Sequence, residues 1–398
     1  MSNTLLLLSD GSWFPGNGFG SPAPLLDDVP KETSKNAAGE VVFNTSMSGY
    51  HEMVTDPSYA GQILVFTSAH IGNYGCDEDW SETGVSADRN ERFCPKAAAV
   101  VVRNLYSGPI PAGRISFSHF LESYGICGIC GVDTRALTIS LRDGGSRNGM
   151  LFRLNDDARF PSDSWLDGAL KRVRAIPSME GQALARKSGT EKGSSAVEKS
   201  FSANEAKVRV ALIDYGVKGG IIRELKRCGS DVVVLSSVST AEEVLSLHPD
   251  GVLLSNGPGD PAVLDLEIAT VAGLVGKVPV FGICLGHQLL ATALGGKTRK
   301  MAFGHHGANH PVREMATGRV YVTSQNHGFE VDPDSLPEDV VVSHVNANDG
   351  SVEGIMHKHL AASSVQFHPE ASPGPREATI LFDRWIDTLL QNKNEVHP

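Results

Sequence analysis

Val278-Pro279-Val280-Phe281-Gly282-Ile283-Cys284-Leu285-Gly286-His287-Gln288 runs as an apolar strand into a glycine-flanked cysteine and on into a helix. The pattern predicts a sharp strand-to-helix turn at Cys284, with Gly282 and Gly286 as the small neighbours that let such an elbow push a nucleophile out of the backbone. A thiol there stands at a helix N-terminus, where exposed N–H groups and the positive dipole end favour a thiolate. The same residues also suit a buried cysteine between two strand-end glycines. The surrounding chain has to decide.

Upstream of the elbow the chain alternates. Val208 to Asp214 reads as a strand, Gly219 to Cys228 as a helix, Asp231 to Leu235 as a strand, Thr240 to Leu247 as a helix and Gly251 to Leu254 as a strand. This order predicts an α/β unit with a mostly parallel, doubly wound sheet, whose site lies beyond the carboxyl ends of the strands. Asp214, the turn after Leu254 and Cys284 all fall at such ends.

The polar stretch 185–206 reads as an exposed linker between an N-terminal domain, 1–184, and the α/β domain, 207–398. The first half predicts strands at Leu5 to Leu8, Val41 to Asn44, Ile63 to Thr67, Ala97 to Arg103 and Ile126 to Val132. Helices are expected at Ser116 to Tyr124 and Arg135 to Arg142, and surface loops at 15–36 and 72–95, giving a mixed α/β domain.

At 398 residues the chain is long for one core. Its net charge of -11 disfavours nucleic acid and anionic membranes, which reward basic clusters. No segment has the length of a bilayer span and the N-terminus has no basic n-region, so a soluble cytoplasmic protein is expected. Six cysteines show no secreted framework. Cys127 and Cys130 form a lone C-x-x-C in an apolar run, expected as two buried strand cysteines.

A cysteine nucleophile needs a base, and the base an orienting group. In Gln366-Phe367-His368-Pro369-Glu370 an extended chain points His368 and Glu370 the same way, so Glu370 could accept the imidazole N–H and aim the other nitrogen at Cys284. The turn Ser255-Asn256-Gly257-Pro258-Gly259-Asp260 brings backbone close to a ligand, with Gly257 and Gly259 as N–H donors and Leu285 as the usual second donor of an oxyanion hole.

With Gln325-Asn326-His327-Gly328-Phe329, these motifs resemble the class I (triad) glutamine amidotransferases, which have a flavodoxin-like sheet. Gly39 to Tyr50, Thr55-Asp56-Pro57-Ser58-Tyr59, Ile71-Gly72-Asn73-Tyr74-Gly75 and Asp133-Thr134-Arg135 narrow the resemblance to the glutaminase subunits of carbamoyl-phosphate synthases. The resemblance implies Cys284 as nucleophile, His368 as base and acid, and Glu370 as orienting carboxylate. It implies L-glutamine contacts from Ser58, Gly257, Gly259, Leu285, Gln288, Asn326, Gly328 and Phe329. It also implies a large synthetase partner that uses MgATP and bicarbonate, in a heterodimer or a higher oligomer of heterodimers, for arginine and pyrimidine biosynthesis. No Walker A loop or kinase signature is present, and no cofactor or metal is expected in this chain. His305, His306 and His310 are expected to be structural. His51 replaces a glutamine usual in the family, and that departure puts local surface or partner contacts in doubt. The alternative readings are a glutaminase for another synthetase and a non-catalytic binding subunit; the first-half motifs argue against the former and the intact triad against the latter.

Overall fold

The computed structural model describes residues 3–27, 37–84, 93–154, 161–190, 200–201 and 207–396. The chain divides into two units, 1–81 with 93–179 and 302–306, and 82–92 with 180–301 and 307–398.

In the first unit the strands are β1 (Asn3–Leu8), β2 (Trp13–Gly20), β3 (Ala38–Asn44), β4 (Gln62–Phe66), β5 (His70–Ile71), β6 (Ala99–Val101), β7 (Asn104–Leu105), β8 (Cys127–Cys130) and β9 (Arg147–Arg153). Seven of them close a barrel in the order β1-β2-β8-β6-β4-β3-β9, and β5 and β7 pair separately. Alternate residues Leu6, Val41, Ile63, Ala99, Ile129 and Leu151 meet in one cluster with Leu137 and Leu141 of helix Thr134–Gly144. Residues from strands all round the closed sheet can touch one another only in its interior, so this cluster fills the barrel. Their neighbours face outward into two further cores, one of them beneath helix Asp163–Arg174.

All five strands and both helices expected in this half are present within a few residues of their predicted ends. The surface loop expected at 15–36 is corrected at its start, because Trp13–Gly20 is a barrel strand. Residues 28–36 of that loop lie outside the described residues. The loop expected at 72–95 is also corrected, since Cys76 is buried and bonded through its backbone to Ile115; 85–92 are not described.

In the second unit the strands are β10 (Ser200–Phe201), β11 (Val208–Asp214), β12 (Ser230–Ser236), β13 (Gly251–Leu254), β14 (Val280–Ile283), β15 (Thr298–Glu314, of which 302–306 are counted with the first unit), β16 (Val320–Val331), β17 (Val340–Asn346), β18 (Val352–His357) and β19 (Ala362–Val365). The sheet order is β10-β12-β11-β13-β14-β19-β18-β17-β15-β16. The run β12-β11-β13-β14-β19 is parallel and continues antiparallel through β18 and β17 to β15.

Both faces of the parallel strands are buried, which explains their unbroken apolar runs. Val210, Leu212, Leu253 and Phe281 pack on one face against helices Gly219–Arg227 and Ile380–Val396. Ala211, Ile213, Val252 and Val280 pack on the other against helices Asp265–Leu274 and Leu285–Ala293. The carboxyl ends at Asp214, Leu254, Ile283 and Val365 therefore open onto one edge. Part of the expected exposed linker is folded: Ala185–Ser188 is a helical turn with Ala185 buried and Arg186 paired to Glu267 at 2.8 Å. Residues 191–199 and 202–206 are not described. Among the described residues no helix is long and apolar enough to cross a membrane.

Candidate active site

Cys284 sits between β14 and helix Leu285–Ala293 with φ 53° and ψ -102°. Side-chain-bearing residues avoid this conformation, which costs about 1–3 kcal/mol unless the surroundings enforce it. The flanking glycines are part of that enforcement. A Cβ on Gly282 would lie 2.5 Å from the Gly286 carbonyl oxygen, and one on Gly286 only 2.2 Å from that of Leu254. The backbone is pinned as well, Cys284 N donating to Val365 O at 2.9 Å and Gly286 N to Ser255 O at 3.0 Å. Cys284 is 2 % exposed and its Sγ lies 3.7 Å from Asn326 O.

His368 follows β19 and is held by its N–H to Ser324 O at 2.9 Å. Its Nδ1 is 2.7 Å from Glu370 Oε1, so the i, i+2 geometry read from the sequence is present. Nε2 is buried and makes no hydrogen bond of good geometry. Burial disfavours the imidazolium and Lys218 opposes it, but the Glu370 carboxylate, helped by the adjacent Cys284, raises the His368 pKa to about 10. Burial pushes Glu370 upward, yet Lys218 and His368 outweigh it and hold the carboxyl down at about 2.

Lys218 is the residue that sequence reading missed. It is 1 % exposed, its Nζ lies 3.1 Å from Glu370 Oε1, and it donates to Ala371 O at 2.6 Å. The available signal was a lysine directly before a helix, in Gly216-Val217-Lys218-Gly219-Gly220, where a short capping residue is the rule. Asn256 joins this turn to the next one, accepting from Lys218 N at 3.0 Å and donating to Gly216 O at 3.0 Å.

Several residues expected to touch glutamine gather around Cys284. A Cβ on Gly257 would stand 3.0 Å from Leu285 Cδ2, so the Gly257 turn reaches the start of the cysteine's helix. Gly259 has φ 101° and faces the Gln182 carbonyl oxygen. Gln288 Nε2 donates to Phe329 O at 2.8 Å and to Gln366 Oε1 at 3.0 Å, which ties this helix to the segment carrying Asn326, Gly328 and Phe329. The Lys300 ammonium lies over the Phe329 ring. Ser58 belongs to the first unit, buried in the short helix Pro57–Tyr59 with its N–H on Asp56 Oδ1 at 2.9 Å.

Other residues singled out in the sequence have different surroundings. Cys127 and Cys130, three apart on β8, face opposite sides of the sheet and pack in different cores. Burial pushes the Cys127 thiol up to about 12. Cys130 is only half-buried, which corrects the expectation of two buried thiols. His51 is no surface feature: it is buried, with Nε2 2.8 Å from Trp80 O and its ring against Phe120. Asp214 caps the turn after β11, accepting from Gly216 N, Val217 N and Thr190. His306 O accepts from Thr45 N, and His310 O from Thr323 Oγ1.

Two family models match the chain: glutamine amidotransferase class-I over residues 211–388, and carbamoyl-phosphate synthase small chain, CPSase domain, over residues 6–151. A carbamoyl phosphate synthase small chain of Listeria innocua is 42% identical over 400 residues, covering 100% of both chains. One from Symbiobacterium thermophilum is 44% identical over 382 residues, covering 95% of this chain and 96% of the relative. Among solved structures, a glutamine amidotransferase from Thermotoga maritima is 21% identical with a TM-score of 0.35, over 47% of this chain and 85% of that one.

Proposed function

The chain belongs to the family of carbamoyl phosphate synthase small chains, with a class-I glutamine amidotransferase domain, and from that premise we propose that Cys284, His368 and Glu370 hydrolyse L-glutamine through a cysteinyl thioester. The observation that carries this reading is the strained Cys284 at a helix N-terminus in the same strand-end crevice as a buried His368–Glu370 pair.

The Cys284 thiol gives its proton to His368 as its sulfur attacks the carboxamide carbon, and the developing oxyanion lies toward the backbone N–H groups of Leu285 and Gly257. Removing one such donor typically costs about 3 kcal/mol of transition-state stabilisation. The imidazolium of His368 gives its proton to the departing nitrogen, ammonia leaves, and the thioester remains. His368 then takes a proton from water, the water oxygen bonds to the acyl carbon, and glutamate departs as the thiol is restored. Glu370 holds the imidazole by Nδ1 throughout. Gly259, Gln288, Asn326, Gly328 and Phe329 hold the amino-acid part of glutamine.

Ammonia passes to a large synthetase subunit, which makes carbamoyl phosphate from bicarbonate and MgATP for arginine and pyrimidine synthesis. Residues 1–184 supply the partner contact and 207–398 the amide chemistry, in a cytoplasmic heterodimer or a higher oligomer of it. The test measures glutamate release by the purified chain, with and without its large partner, and seeks the glutamyl adduct by mass spectrometry of the Cys284 peptide. Glutamate release without any adduct on Cys284 under rapid quench, and undiminished in Cys284→Ser, overturns the reading.

A further inference from the structure

Helix Gly219–Arg227 begins without a cap of its own, since Lys218 at its N-cap makes no side-chain capping bond. Another part of the chain does this work. Glu82 O accepts from Gly219 N at 2.7 Å, Glu82 Oε2 accepts from Gly220 N at 3.1 Å, and Gly84 N donates to Val217 O at 2.8 Å. Thr83 and Lys218 form an antiparallel bridge, so Glu82 to Gly84 lie as a short strap along the helix start. The Glu82 side chain is 0 % exposed, and its Oε1 pairs with Arg223 one turn into the helix.

The strap ends beside the triad. A Cβ built on Gly220 would lie 3.3 Å from Glu82 Oε2 and 2.9 Å from Glu370 Cγ, so the two carboxyl side chains flank one glycine. Two buried carboxylates this close repel each other, and Lys218 and Arg223 supply positive charge that offsets the repulsion. Burial raises Glu82 above the usual carboxylate range, and Lys218 foremost, then Arg223, opposes that rise. Among the described residues, Cys284 and Lys218 face the His368–Glu370 pair, and Glu82 lies across Gly220 from it.

We propose that Glu82 is a positioning residue for the Cys284–His368–Glu370 site: it caps the helix that carries Lys218 and balances that lysine, so that Glu370 keeps its hold on the imidazole. This rests on the triad reading above. With Glu82 neutralised, the charge of Lys218 falls undivided on Glu370 and His368, and the titration of that pair moves to lower pH.

The test compares wild type, Glu82→Gln, Glu82→Asp and Arg223→Gln in the full chain. The readouts are the pH profile of glutamate release and the pH profile of Cys284 alkylation by iodoacetamide, located by peptide mass. Glu82→Gln, which keeps an acceptor for Gly220 N, is expected to move both limbs down by about half to one pH unit. Glu82→Asp, which keeps the charge, holds the wild-type limbs. Arg223→Gln moves them up by less, because the Arg223 side chain is 47% exposed; that variant decides the matter if Glu82→Gln does not fold. Unmoved limbs in Glu82→Gln, or a shift of the same sign in Glu82→Gln and Arg223→Gln, overturn the proposal. A wild type that releases no glutamate overturns the glutaminase reading instead, and the alkylation profile still tests Glu82.

Discussion

The barrel of the first unit and the open sheet of the second treat cysteine in opposite ways. Cys127 and Cys130 ride on a regular strand, where period-two geometry sends them to opposite faces and burial makes Cys127 inert. Cys284 stands one residue past a strand end, in a backbone conformation its neighbours impose. The formal motif C-x-x-C and the lone Cys284 thus differ above all in where the backbone places them. A closed sheet turns alternate residues of each strand into its interior, whereas a parallel sheet leaves its carboxyl edge open to chemistry.

Single-cysteine variants give the widest contrast. Cys284→Ala is expected to lower glutamine hydrolysis by at least about a thousand-fold, while Cys127→Ala and Cys130→Ala leave glutamate release within a few-fold of wild type. Comparable losses in all three would erase the distinction. Next come glycines in the two units. In Gly286→Ala the new methyl meets the Leu254 carbonyl oxygen, which cannot retreat, and urea unfolding should show a loss of about 3 kcal/mol or more. In Gly128→Ala it meets the outer end of the Phe19 ring, which can swing aside, and the loss should stay near about 1–2 kcal/mol. Equal losses would mean that the elbow is no more constrained than the barrel wall.

The smallest effect concerns pH. The folded pKa of Glu370 lies at about 2, below its ordinary value of 4.5, so its stabilisation is complete above 4.5 and lost as pH falls toward 2. That of His368 lies at about 10, above its ordinary value of 6.5, so its contribution is complete below 6.5 and lost as pH rises through 10. Tm should therefore be highest between about 4.5 and 6.5 on account of this pair. His368→Asn should flatten the alkaline decline by on the order of 1–3 kcal/mol. A decline as steep in the variant would assign it to other groups.

The parallel strands were legible because both faces are buried and the runs are unbroken, as in Val210 to Ile213. Barrel closure was not. The strand Trp13-Phe14-Pro15-Gly16-Asn17-Gly18-Phe19-Gly20 reads as a loop by its Pro and Gly content, yet glycine is needed there, since a Cβ on Gly16 would lie 2.4 Å from the Cys130 carbonyl oxygen. Strand β15 was equally obscure, its Gly-His-His-Gly-Ala-Asn-His-Pro run lacking any apolar alternation. The proposed triad could be read from the sequence because each member lies in a short local motif. Lys218 and Glu82 could not, because their meaning depends on Glu370, 152 and 288 positions away.

Ser255 and Asn256 govern motion beneath the thiol. Ser255 Oγ accepts from Tyr215 N, Ser255 O from Gly286 N, and Asn256 Oδ1 from Lys218 N. Two adjacent residues thus clamp the turns after β11, β13 and β14 to one another. Fluctuations that open one turn must break the bonds holding the others, so the floor beneath Cys284 opens as one cooperative unit with a single free energy. The thiol and the lysine that steadies its histidine's partner are then lost or kept together.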